Sequence, residues 1–495
     1  MKLFITTFSL LCCVLIACNT ESKEIKKPNI IYFLVDDMGW QETSVPFWNK
    51  KTKLNERYQT PNMEKLASQG MKFTQAYAAP LCSPTRVSLM TGANATRHRV
   101  TNWTLRRGQS PDQKHEVFGA PNWNLNGLSP VKGVDSTYLA RTLPMYLQDA
   151  GYQTIHVGKA HWGALKTPGE DPLKLGFDVN IAGHAAGGPG SYYGEHNFSA
   201  AWRNGGNIWD VPGLEKYYGK DINLTEALTI EALDEIDKSV NAKKPFYLYM
   251  SHYAVHAPWE KDKRFFQKYK EQGLTDKEAT LASMIESMDK SLGDILDKVK
   301  QLGIEDNTII IFMSDNGSPS QCPQNLPLRG HKVSPYEGGI RVPMIVKWAG
   351  EVDAATECNK PIIIEDIFPS ILSMAGVENY KEIGNSIDGK SFVPLMKQED
   401  IDVSEREFVW HFPHNYDFEP YSVIRKGDWK LIYWYKDGQT ELYNITQDIG
   451  ETKNLSTEKP KITEQLLASL GKYLKSMNAT APYNKQTKTN FAFPN

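Results

Sequence analysis

Cysteine is scarce in this chain. Only six of its 495 residues are cysteines, and three of those fall within the first 18 positions. This scarcity excludes a small scaffold that is held together by many disulfides. The rest of the chain contains Cys82, Cys322 and Cys358. Cys322 and Cys358 can form one disulfide or remain two free thiols, and the sequence is compatible with both alternatives.

A strong net charge of either sign is also missing. The 56 Lys and Arg residues nearly balance the 58 Asp and Glu residues, and the formal net charge is −2. A globally basic surface is therefore not predicted, and nucleic acid is not expected as a partner. An anionic substrate would have to bind at a local basic site.

Long hydrophobic runs are absent after the first residues. The run Leu3–Ala17 is shorter than the roughly 20 residues that a membrane span needs, and Lys2 precedes it, so residues 1–17 are predicted to be an export signal. Leu15-Ile16-Ala17-Cys18 resembles a bacterial lipobox, whose cysteine is lipidated. We expect an exported lipoprotein of the cell envelope, anchored in the membrane through Cys18, with residues 18–27 as a polar tether. A plain secretory signal is the alternative.

What the sequence does contain is a series of short apolar runs that end in polar residues. Such runs, separated by helical patterns, predict a doubly wound α/β domain with a mostly parallel sheet. Ligands bind beyond the carboxyl ends of the strands in such sheets, so four polar clusters at four strand ends predict one site. The predicted strands are Asn29–Val35, Tyr152–Val157, Pro245–Met250 and Thr308–Met313, and the predicted helices include Asn62–Gly70, Leu143–Ala150, Asn223–Ser239, Leu281–Leu302 and Ile362–Ala375.

A smaller C-terminal subdomain is predicted from a change in pattern. The polar segment near residues 390–405 is the expected boundary, which divides the chain into domains at 28–400 and 401–495. Short strand-like runs and the hairpin signal Lys436-Asp437-Gly438 predict a small antiparallel sheet, followed by a helix at Ile462–Ser476. Two stretches with little regular pattern, 101–136 and 183–213, are predicted to be functional loops.

Two of the predicted strands end in acidic residues. Asp36 and Asp37 follow the first strand, and Asp315 and Asn316 follow a later one. Carboxylate and amide oxygens suit Ca²⁺ or Mg²⁺, whereas the histidines do not show the compact spacing typical of a zinc site. A solvated turn is the alternative explanation for an isolated Asp-Asp pair.

Cys82-Ser83-Pro84-Thr85-Arg86 is the most informative short segment. Pro84 predicts that a helix begins near Ser83, and Arg86 would lie within reach of Cys82 on one face of that helix. A helix N-terminus and an arginine both favour an anion at this position. A buried apolar cysteine and a cysteine nucleophile beside a histidine are the alternatives.

This segment resembles the maturation motif of the type I, formylglycine-dependent sulfatases, which belong to the alkaline-phosphatase-like superfamily. The resemblance covers roughly residues 28–455, with domain 28–400 as the catalytic domain. Ala160 and Trp162 depart from the family pattern, which has Trp and Leu at these positions, whereas Lys159 and His161 are kept. The segments that carry the resemblance are Pro28–Trp40, Cys82–Arg86, Gly158–Gly163, Ser314–Gly317, Tyr336–Pro343, Ile424–Leu431 and Glu441–Leu455.

The resemblance implies a set of roles. Cys82 would be converted to formylglycine by a formylglycine-generating or anaerobic sulfatase-maturing enzyme, and Arg86 would steady its hydrate. His161 would be the base, and His256 the acid for the leaving alcohol, with His252 as a competitor for the second role. Lys159 and Lys332 would hold sulfate oxygens. One Ca²⁺ per chain would be bound by formylglycine-82 together with Asp36, Asp37, Asp315 and Asn316.

The substrate is the least determined part of the prediction. Thr91–Trp103 looks like the corresponding segment of bacterial polysaccharide sulfatases, which implies galactan, carrageenan-like, ulvan or glycosaminoglycan substrates. A phosphonate or phosphate-ester hydrolase of the same superfamily and a non-catalytic sugar-binding lipoprotein are the alternative functions. The candidate sugar contacts are Trp103, His184, Tyr192, His196, Trp202 and Arg203.

Overall fold

The computed structural model describes residues 27–322, 325–377 and 386–495. The predicted export signal and the predicted lipidation site at Cys18 lie outside these residues. In the described part of the chain, no helix combines the length and apolar character that a membrane crossing requires. Cys82, Cys322 and Cys358 are all free thiols, so the alternative of a disulfide between the last two is not realised.

The elements alternate between strand and helix over most of the chain. In chain order, the strands are β1 (Asn29–Val35), β2 (Met71–Tyr77), β3 (Phe118–Gly119), β4 (Leu128–Ser129), β5 (Tyr138–Leu139), β6 (Gln153–Gly158), β7 (Val179–Ile181), β8 (Phe246–Ser251), β9 (Thr308–Ser314), β10 (Arg341–Lys347), β11 (Thr356–Cys358), β12 (Ile362–Ile363), β13 (Glu407–Phe412), β14 (Tyr421–Lys426), β15 (Trp429–Trp434), β16 (Thr440–Asn444), β17 (Tyr483–Asn484) and β18 (Thr489–Asn490). The α-helices are α1 (Lys53–Arg57), α2 (Pro61–Ser68), α3 (Cys82–Thr91), α4 (Ala95–His98), α5 (Leu143–Asp149), α6 (Leu224–Asn241), α7 (Phe266–Glu271), α8 (Asp276–Gln301), α9 (Glu337–Ile340), α10 (Ile367–Met374), α11 (Val393–Met396) and α12 (Pro460–Ser476).

The central sheet has nine strands in the order β11-β2-β10-β9-β1-β8-β6-β7, with β12 also paired to β2. Strand β1 lies between β8 and β9 and runs parallel to both. Strand β10 is antiparallel to its neighbours β2 and β9, whereas the other pairs in this sheet are parallel. All seven residues of β1 are buried, as expected for a strand that is covered on both faces.

Helices cover both faces of this sheet. Ile31 and Phe33 of β1 belong to a core that includes residues of α2, α6 and α8. Tyr32 and Leu34 point to the other face and belong to a core that includes residues of α3, α5 and α10. This arrangement confirms the predicted doubly wound, mostly parallel α/β fold. The antiparallel direction of β10 was not predicted.

The C-terminal region forms a four-stranded antiparallel sheet in the order β13-β14-β15-β16. Successive side chains of a strand point to opposite faces, so alternate residues of this sheet pack against two different parts of the structure. Phe408 and Trp410 pack on the core of the larger domain, whereas Val409 packs with Leu466 and Leu470 of α12. The predicted small sheet plus helix is therefore confirmed, and the domain boundary near residue 400 stays a prediction.

Local propensity placed most element boundaries correctly to within a few residues. The prediction of a continuous helix at Ile362–Ala375 is wrong at its start, because Ile362 and Ile363 pair with β2 as strand β12 before α10 begins at Ile367. The buried edge of β2 offers backbone hydrogen bonds to these two β-branched residues, which is a tertiary effect that local propensity does not report.

Candidate active site

Four neighbouring strands bring their polar ends to one place. The strands β9, β1, β8 and β6 are adjacent in the sheet and parallel, so their carboxyl ends meet at the same edge. Asp315 follows β9, Asp36 follows β1, His256 lies in the loop after β8, and Lys159 follows β6. The structure therefore brings together the four polar clusters that the sequence places at strand ends.

The acidic residues form one buried cluster with Cys82. One ligand atom from each of Asp36, Asp37, Asp315 and Cys82 lies within 4.8 Å of the corresponding atoms of the other three. Asn316 joins this group, because its Nδ2 donates a hydrogen bond of 2.7 Å to Oδ1 of Asp37. The Oδ1 atom of Asn316 is buried and accepts no hydrogen bond from the described residues.

This donor set fits a hard divalent cation. Burial and the neighbouring Asp315 raise the pKa of the Asp36 carboxyl well above its usual range, because burial and a nearby negative charge both disfavour ionisation. A divalent cation would relieve this repulsion and supply a partner for Oδ1 of Asn316. Asp36, Asp37, Asp315 and Asn316 offer only oxygen ligands, which is the chemistry that Ca²⁺ and Mg²⁺ prefer.

Two lysines approach the carboxylates from different directions. Nζ of Lys159 donates to Oδ2 of Asp36 at 2.5 Å, and the Lys159 side chain is fully buried. Nζ of Lys332 donates to Oδ1 of Asp37 at 2.5 Å and lies 3.3 Å from Sγ of Cys82. Although burial opposes it, the charges of Lys332 and Lys159 hold the pKa of Asp37 below its usual value, and Lys332 also donates a hydrogen bond to this carboxylate.

Arg86 holds a carboxylate in place rather than contacting the thiol. Its Nε and Nη2 atoms donate to Oδ2 of Asp315 at 3.0 and 2.8 Å, and its Nη1 donates to Lys159 O and Ser251 Oγ. The side chain is fully buried. The expectation that Arg86 steadies a hydrate on residue 82 stays a prediction, whereas its pairing with Asp315 is the contact that the structure describes.

Cys82 is the first residue of helix α3. Leu81 caps the helix with extended backbone, and the helix ends at Gly92, whose φ of 71° is in the left-handed region that glycine favours. Sγ of Cys82 lies 3.7 Å from Oδ1 of Asp36. Burial raises the pKa of the Cys82 thiol to about 12, despite the two nearby lysines, so the unmodified side chain stays a thiol at neutral pH.

His161 carries a free ring nitrogen at the same site. Its Nε2 lies 2.9 Å from the carbonyl oxygen of Thr104, which accepts a hydrogen bond, so Nδ1 is the nitrogen that bears the lone pair. This Nδ1 is buried and has no partner among the described residues. Burial and the charge of Lys159 hold the pKa of His161 well below its usual value, so the ring is neutral and Nδ1 keeps its lone pair.

The two candidate acids occupy different environments. Nε2 of His256 lies 4.0 Å from Oδ2 of Asp37, and its Nδ1 lies 2.7 Å from Ala257 O. Nε2 of His252 instead lies 2.9 Å from Oγ of Ser291 in helix α8. His252 is fully buried and does not line the cavity described below. The geometry thus favours His256 over His252.

A cavity of about 410 Å³ leads to this cluster. Cys82, Asp37, Lys332, His161 and His256 all line it. Lys159 and Arg86 do not line the cavity. Lys159 pairs with Asp36, and Arg86 pairs with Asp315. The remaining wall includes the aromatic side chains Trp103, Trp209, Trp259 and Tyr416.

Glycines in the predicted loop at 183–213 allow close packing against the two histidines. A Cβ atom at Gly187 would lie 2.3 Å from Cε1 of His161, and one at Gly188 would lie 2.7 Å from Nδ1 of His256. Any larger residue at these positions would displace the rings. This loop therefore holds both imidazoles in position.

The candidate sugar contacts separate into two groups. Trp103 lines the cavity, but His184, Tyr192, His196, Trp202 and Arg203 do not. Tyr192 is buried, and its hydroxyl donates to Tyr253 O and His256 O, so it supports the loop that carries His256. The ring of His196 stacks on Trp202 at 4.7 Å. Sequence reasoning missed Trp209, Trp259 and Tyr416, although Trp209 lies within the loop at 183–213.

Known proteins that resemble this chain include sulfatases, so the fold and the site are those of a hydrolase of sulfuric esters. The chain belongs to the sulfatase family, whose profile matches residues 28–377. A profile described as N-sulphoglucosamine sulphohydrolase, C-terminal, matches residues 331–480.

Individual relatives support this assignment. A sulfatase from Formosa agariphila is 30% identical, with 92% of this chain and 89% of the relative covered. The N-acetylgalactosamine-6-sulfatase of Canis lupus familiaris is 31% identical, with 87% and 76% covered. The crystal structure of Ps i-CgsB in complex with k-i-k-neocarrahexaose superposes with a TM-score of 0.73 at 26% identity, with 90% and 93% covered.

Proposed function

We propose that this sulfatase hydrolyses sulfate esters on sulfated polysaccharides or oligosaccharides, with formylglycine at position 82 as the nucleophile and one Ca²⁺ per chain. One observation carries the proposal. Cys82 lines the cavity, and its Sγ lies 3.7 Å from Oδ1 of Asp36 and 3.3 Å from Nζ of Lys332. A group on this side chain would lie within contact distance of both a carboxylate, Asp36, and a cation, Lys332.

The environment of Cys82 disfavours the thiol itself as the nucleophile, because its pKa of about 12 leaves little thiolate at neutral pH. Oxidation to formylglycine by a maturing enzyme, which would supply the oxidant, removes this difficulty. The hydrated aldehyde would offer one hydroxyl for attack on sulfur and a second hydroxyl whose deprotonation releases sulfate and restores the aldehyde. Lys332, which reaches Sγ of Cys82, lies where it would orient such a group.

The charges of the cluster suit an anionic ester. Its three carboxylates are balanced by three cations, so a bound Ca²⁺ would leave an excess of two positive charges. That excess would stabilise negative charge on the sulfate oxygens. The carboxylates are Asp36, Asp37 and Asp315, and the cations are Arg86, Lys159 and Lys332.

The two histidines have complementary tasks in this proposal. His161 has a free, neutral Nδ1 that would take the proton from the second hydroxyl of residue 82. Burial lowers the pKa of His256 to about 4, so this ring is neutral before substrate binds. An anionic sulfate beside His256 would favour its protonated form, which would then donate the proton to the leaving alkoxide.

The sugar part of the proposal is supported by the relatives and by the cavity wall. Two relatives carry names or titles that specify a carbohydrate, N-acetylgalactosamine-6-sulfatase and a complex with k-i-k-neocarrahexaose. The aromatic rings that line the cavity beside Cys82 provide the flat apolar faces on which sugars stack.

A mass-spectrometric and kinetic test separates this function from its alternatives. The peptide that contains Cys82 is expected to carry an aldehyde in place of the thiol when the protein is co-expressed with a maturing enzyme. The matured protein is then assayed with sulfate, phosphate and phosphonate monoesters of the same alcohol. Faster hydrolysis of phosphate or phosphonate esters would favour the phosphoester alternative, and no hydrolysis of any ester would favour a sugar-binding lipoprotein.

The proposed location rests on the N-terminal sequence alone. Lipidation at Cys18 would anchor the enzyme in the cell envelope, where exported glycans are accessible. Substitution Cys18→Ala is expected to move the full-length protein from the detergent-soluble membrane fraction to the aqueous fraction. An unchanged distribution would contradict the lipid anchor and favour a different mode of retention.

A further inference from the structure

The aromatic part of the cavity has a fixed geometry. The indole Nε1 of Trp259 donates to Val255 O at 3.0 Å, which fixes the plane of that ring. The rings of Trp103 and Tyr416 meet edge to face, with centroids 6.1 Å apart. These partly exposed rings stand beside the reactive cluster, so the sugar that carries the sulfate would lie against them.

The cavity wall carries little charge to meet a second anionic group. Apart from the reactive residues Asp37 and Lys332 and three histidines, the charged side chain that lines it is Asp417. Lys332 is already paired with Asp37 at 2.5 Å. Among the described residues of this lining, a carboxylate or second sulfate on the bound sugar would therefore meet Asp417, an anion without an ion-pair partner, and no lysine or arginine that is free of one.

A second cavity adjoins the first and is acidic. It has a volume of about 420 Å³ and shares Asp417 with the reactive cavity. Glu419 is paired with Lys436 at 2.5 Å, and Glu441 lies 3.6 Å from Arg329. Among the described residues, neither Asp417 nor Asp437 forms an ion pair within 4.0 Å. Asp417 accepts a hydrogen bond from Nε2 of Gln113, and Asp437 accepts one from the backbone N–H of Gln439. The side chains that line this second cavity are Asp417, Phe418, Glu419, Trp434, Asp437, Gln439 and Glu441.

We propose that the substrate is the sulfate ester of a neutral hexose or N-acetylhexosamine whose neighbouring unit carries no carboxylate or second sulfate. This inference rests on the proposed function and names its substrate class. The aromatic wall binds the sulfated ring through stacking, and the acidic second cavity repels an anionic neighbour. Uronate-containing glycosaminoglycan and ulvan fragments are thereby disfavoured relative to neutral galactan fragments.

The test compares substrates that differ only in the neighbouring unit. Matured enzyme is first assayed with position-defined monosulfates of galactose and N-acetylgalactosamine to find the accepted ester. That ester is then presented in two disaccharides, one with glucose and one with glucuronic acid as the neighbour. The expected kcat/KM is about tenfold higher for the glucose disaccharide at low ionic strength, and the ratio falls as NaCl is added.

Charge variants locate the cause of the preference. Asp437→Asn is expected to reduce the ratio of the two kcat/KM values several-fold, because it removes a negative charge from the lining of the second cavity. Asp400→Asn removes the same charge from a side chain that lines neither cavity, and is expected to leave the ratio unchanged. Equal kcat/KM values for the two disaccharides, or an unchanged ratio in Asp437→Asn, would overturn this inference alone. No hydrolysis of any sulfated sugar would overturn the proposed function as well.

Discussion

Two buried ionic clusters in this molecule use the same residue types for different purposes. The reactive cluster opens to a cavity and contains a buried amide oxygen, Oδ1 of Asn316, that has no partner among the described residues. We call the second cluster the interdomain cluster because it lies between the two predicted domains, and its side chains Glu337, Lys430 and Glu451 are fully buried. The reactive cluster consists of Asp36, Asp37, Cys82, Arg86, Lys159, Asp315, Asn316 and Lys332, and the interdomain cluster of Tyr77, Glu337, Arg341, Lys430 and Glu451.

The interdomain cluster connects elements that are far apart in the chain. Nζ of Lys430 lies 3.0 Å from Oε1 of Glu337 and 2.8 Å from Oε1 of Glu451. The second oxygen of Glu337 accepts from the hydroxyl of Tyr77 at 2.7 Å and lies 3.3 Å from Arg341. The comparison indicates that buried charges paired only with one another fix a geometry, whereas a cluster that lines a cavity and has a spare ligand atom is prepared for a cation and an anion.

The largest expected effect tests the reactive cluster. Cys82→Ala is expected to lower kcat for a sulfate ester by at least about 10⁴-fold, because the group that becomes the nucleophile is lost. The thermal midpoint should change little, since alanine is smaller than cysteine and no charge is removed. Enzyme kinetics and thermal unfolding of the matured protein check both statements.

Cys358→Ala is the matched control for this variant. Cys358 is also a buried free thiol, but it lies in β11 and does not line the cavity. It should retain near-normal kcat. Activity that survives in Cys82→Ala, or that is lost equally in Cys358→Ala, would remove the distinction between the two thiols.

The next prediction compares loss of a lysine in each cluster: one variant should lose mainly stability and the other mainly activity. Lys430→Met is expected to destabilise the protein by about 3–5 kcal/mol, because it leaves the buried carboxylates Glu337 and Glu451 without their shared cation. Lys332→Met should cost less stability, because Asp37 lines a cavity that water can enter. It should nevertheless lower kcat/KM at least about 100-fold.

Denaturant unfolding and kinetics on the folded fraction distinguish the two lysine variants. The comparison between the clusters would fail if Lys332→Met unfolded the protein as strongly as Lys430→Met, or if folded Lys430→Met lost as much kcat/KM. Lys436→Met, at an exposed lysine that pairs with Glu419, provides a control for loss of one positive charge.

Calcium withdrawal is expected to have a smaller effect that is confined to the reactive cluster. A ligand at 100 times its Kd stabilises the folded state by about 2.7 kcal/mol, so chelation should lower the thermal midpoint of the wild-type protein. Asn316→Ala should weaken this calcium-dependent shift, whereas Lys430→Met should keep it. An identical midpoint with and without Ca²⁺ in the wild-type protein would argue against the proposed ion.

The sequence predicted the reactive cluster better than the interdomain cluster, for a physical reason. Asp36, Lys159 and Asp315 each follow an apolar strand, so the topology of a parallel sheet is enough to bring them to one edge. No local pattern indicates that Lys430 of β15 meets Glu337. From the sequence, Glu337 and Arg341 are expected only to form a buried ion pair near the Gly-Gly turn, and the structure shows this pair at 3.3 Å.

The cavity wall shows the same limit. Trp209, Trp259 and Tyr416 come from three separate segments. For an aromatic residue in a loop, no periodic pattern distinguishes a position in a cavity wall from a position in the core. The reversed direction of β10 was missed for a related reason, because an apolar run carries no signal for its direction in a sheet. Both features depend on contacts between distant parts of the chain.

The smallest effect concerns the pH dependence of the interdomain cluster. Burial opposes ionisation of Glu337, but Lys430 and Arg341 lower its pKa to about 2. Burial raises the pKa of Glu451 to about 7. The Glu337 contribution to stability is present above its unfolded-state pKa, roughly 4.3, and is lost as the pH falls through 2. The Glu451 contribution is present below that same unfolded-state pKa and is lost as the pH rises through 7.

The contribution of this cluster should therefore be greatest near pH 4 to 5 and decline by on the order of 2 kcal/mol by pH 7.5. Glu451→Gln should remove this decline, because the amide stays neutral at every pH, whereas Glu458→Gln, at an exposed partner of Lys453, should preserve it. Urea unfolding at constant ionic strength across this pH range gives the two slopes. If Glu451→Gln and the wild-type protein lost stability in parallel between pH 5 and 7.5, the decline would have to originate in other groups. The interdomain cluster would then contribute no pH dependence between pH 5 and 7.5.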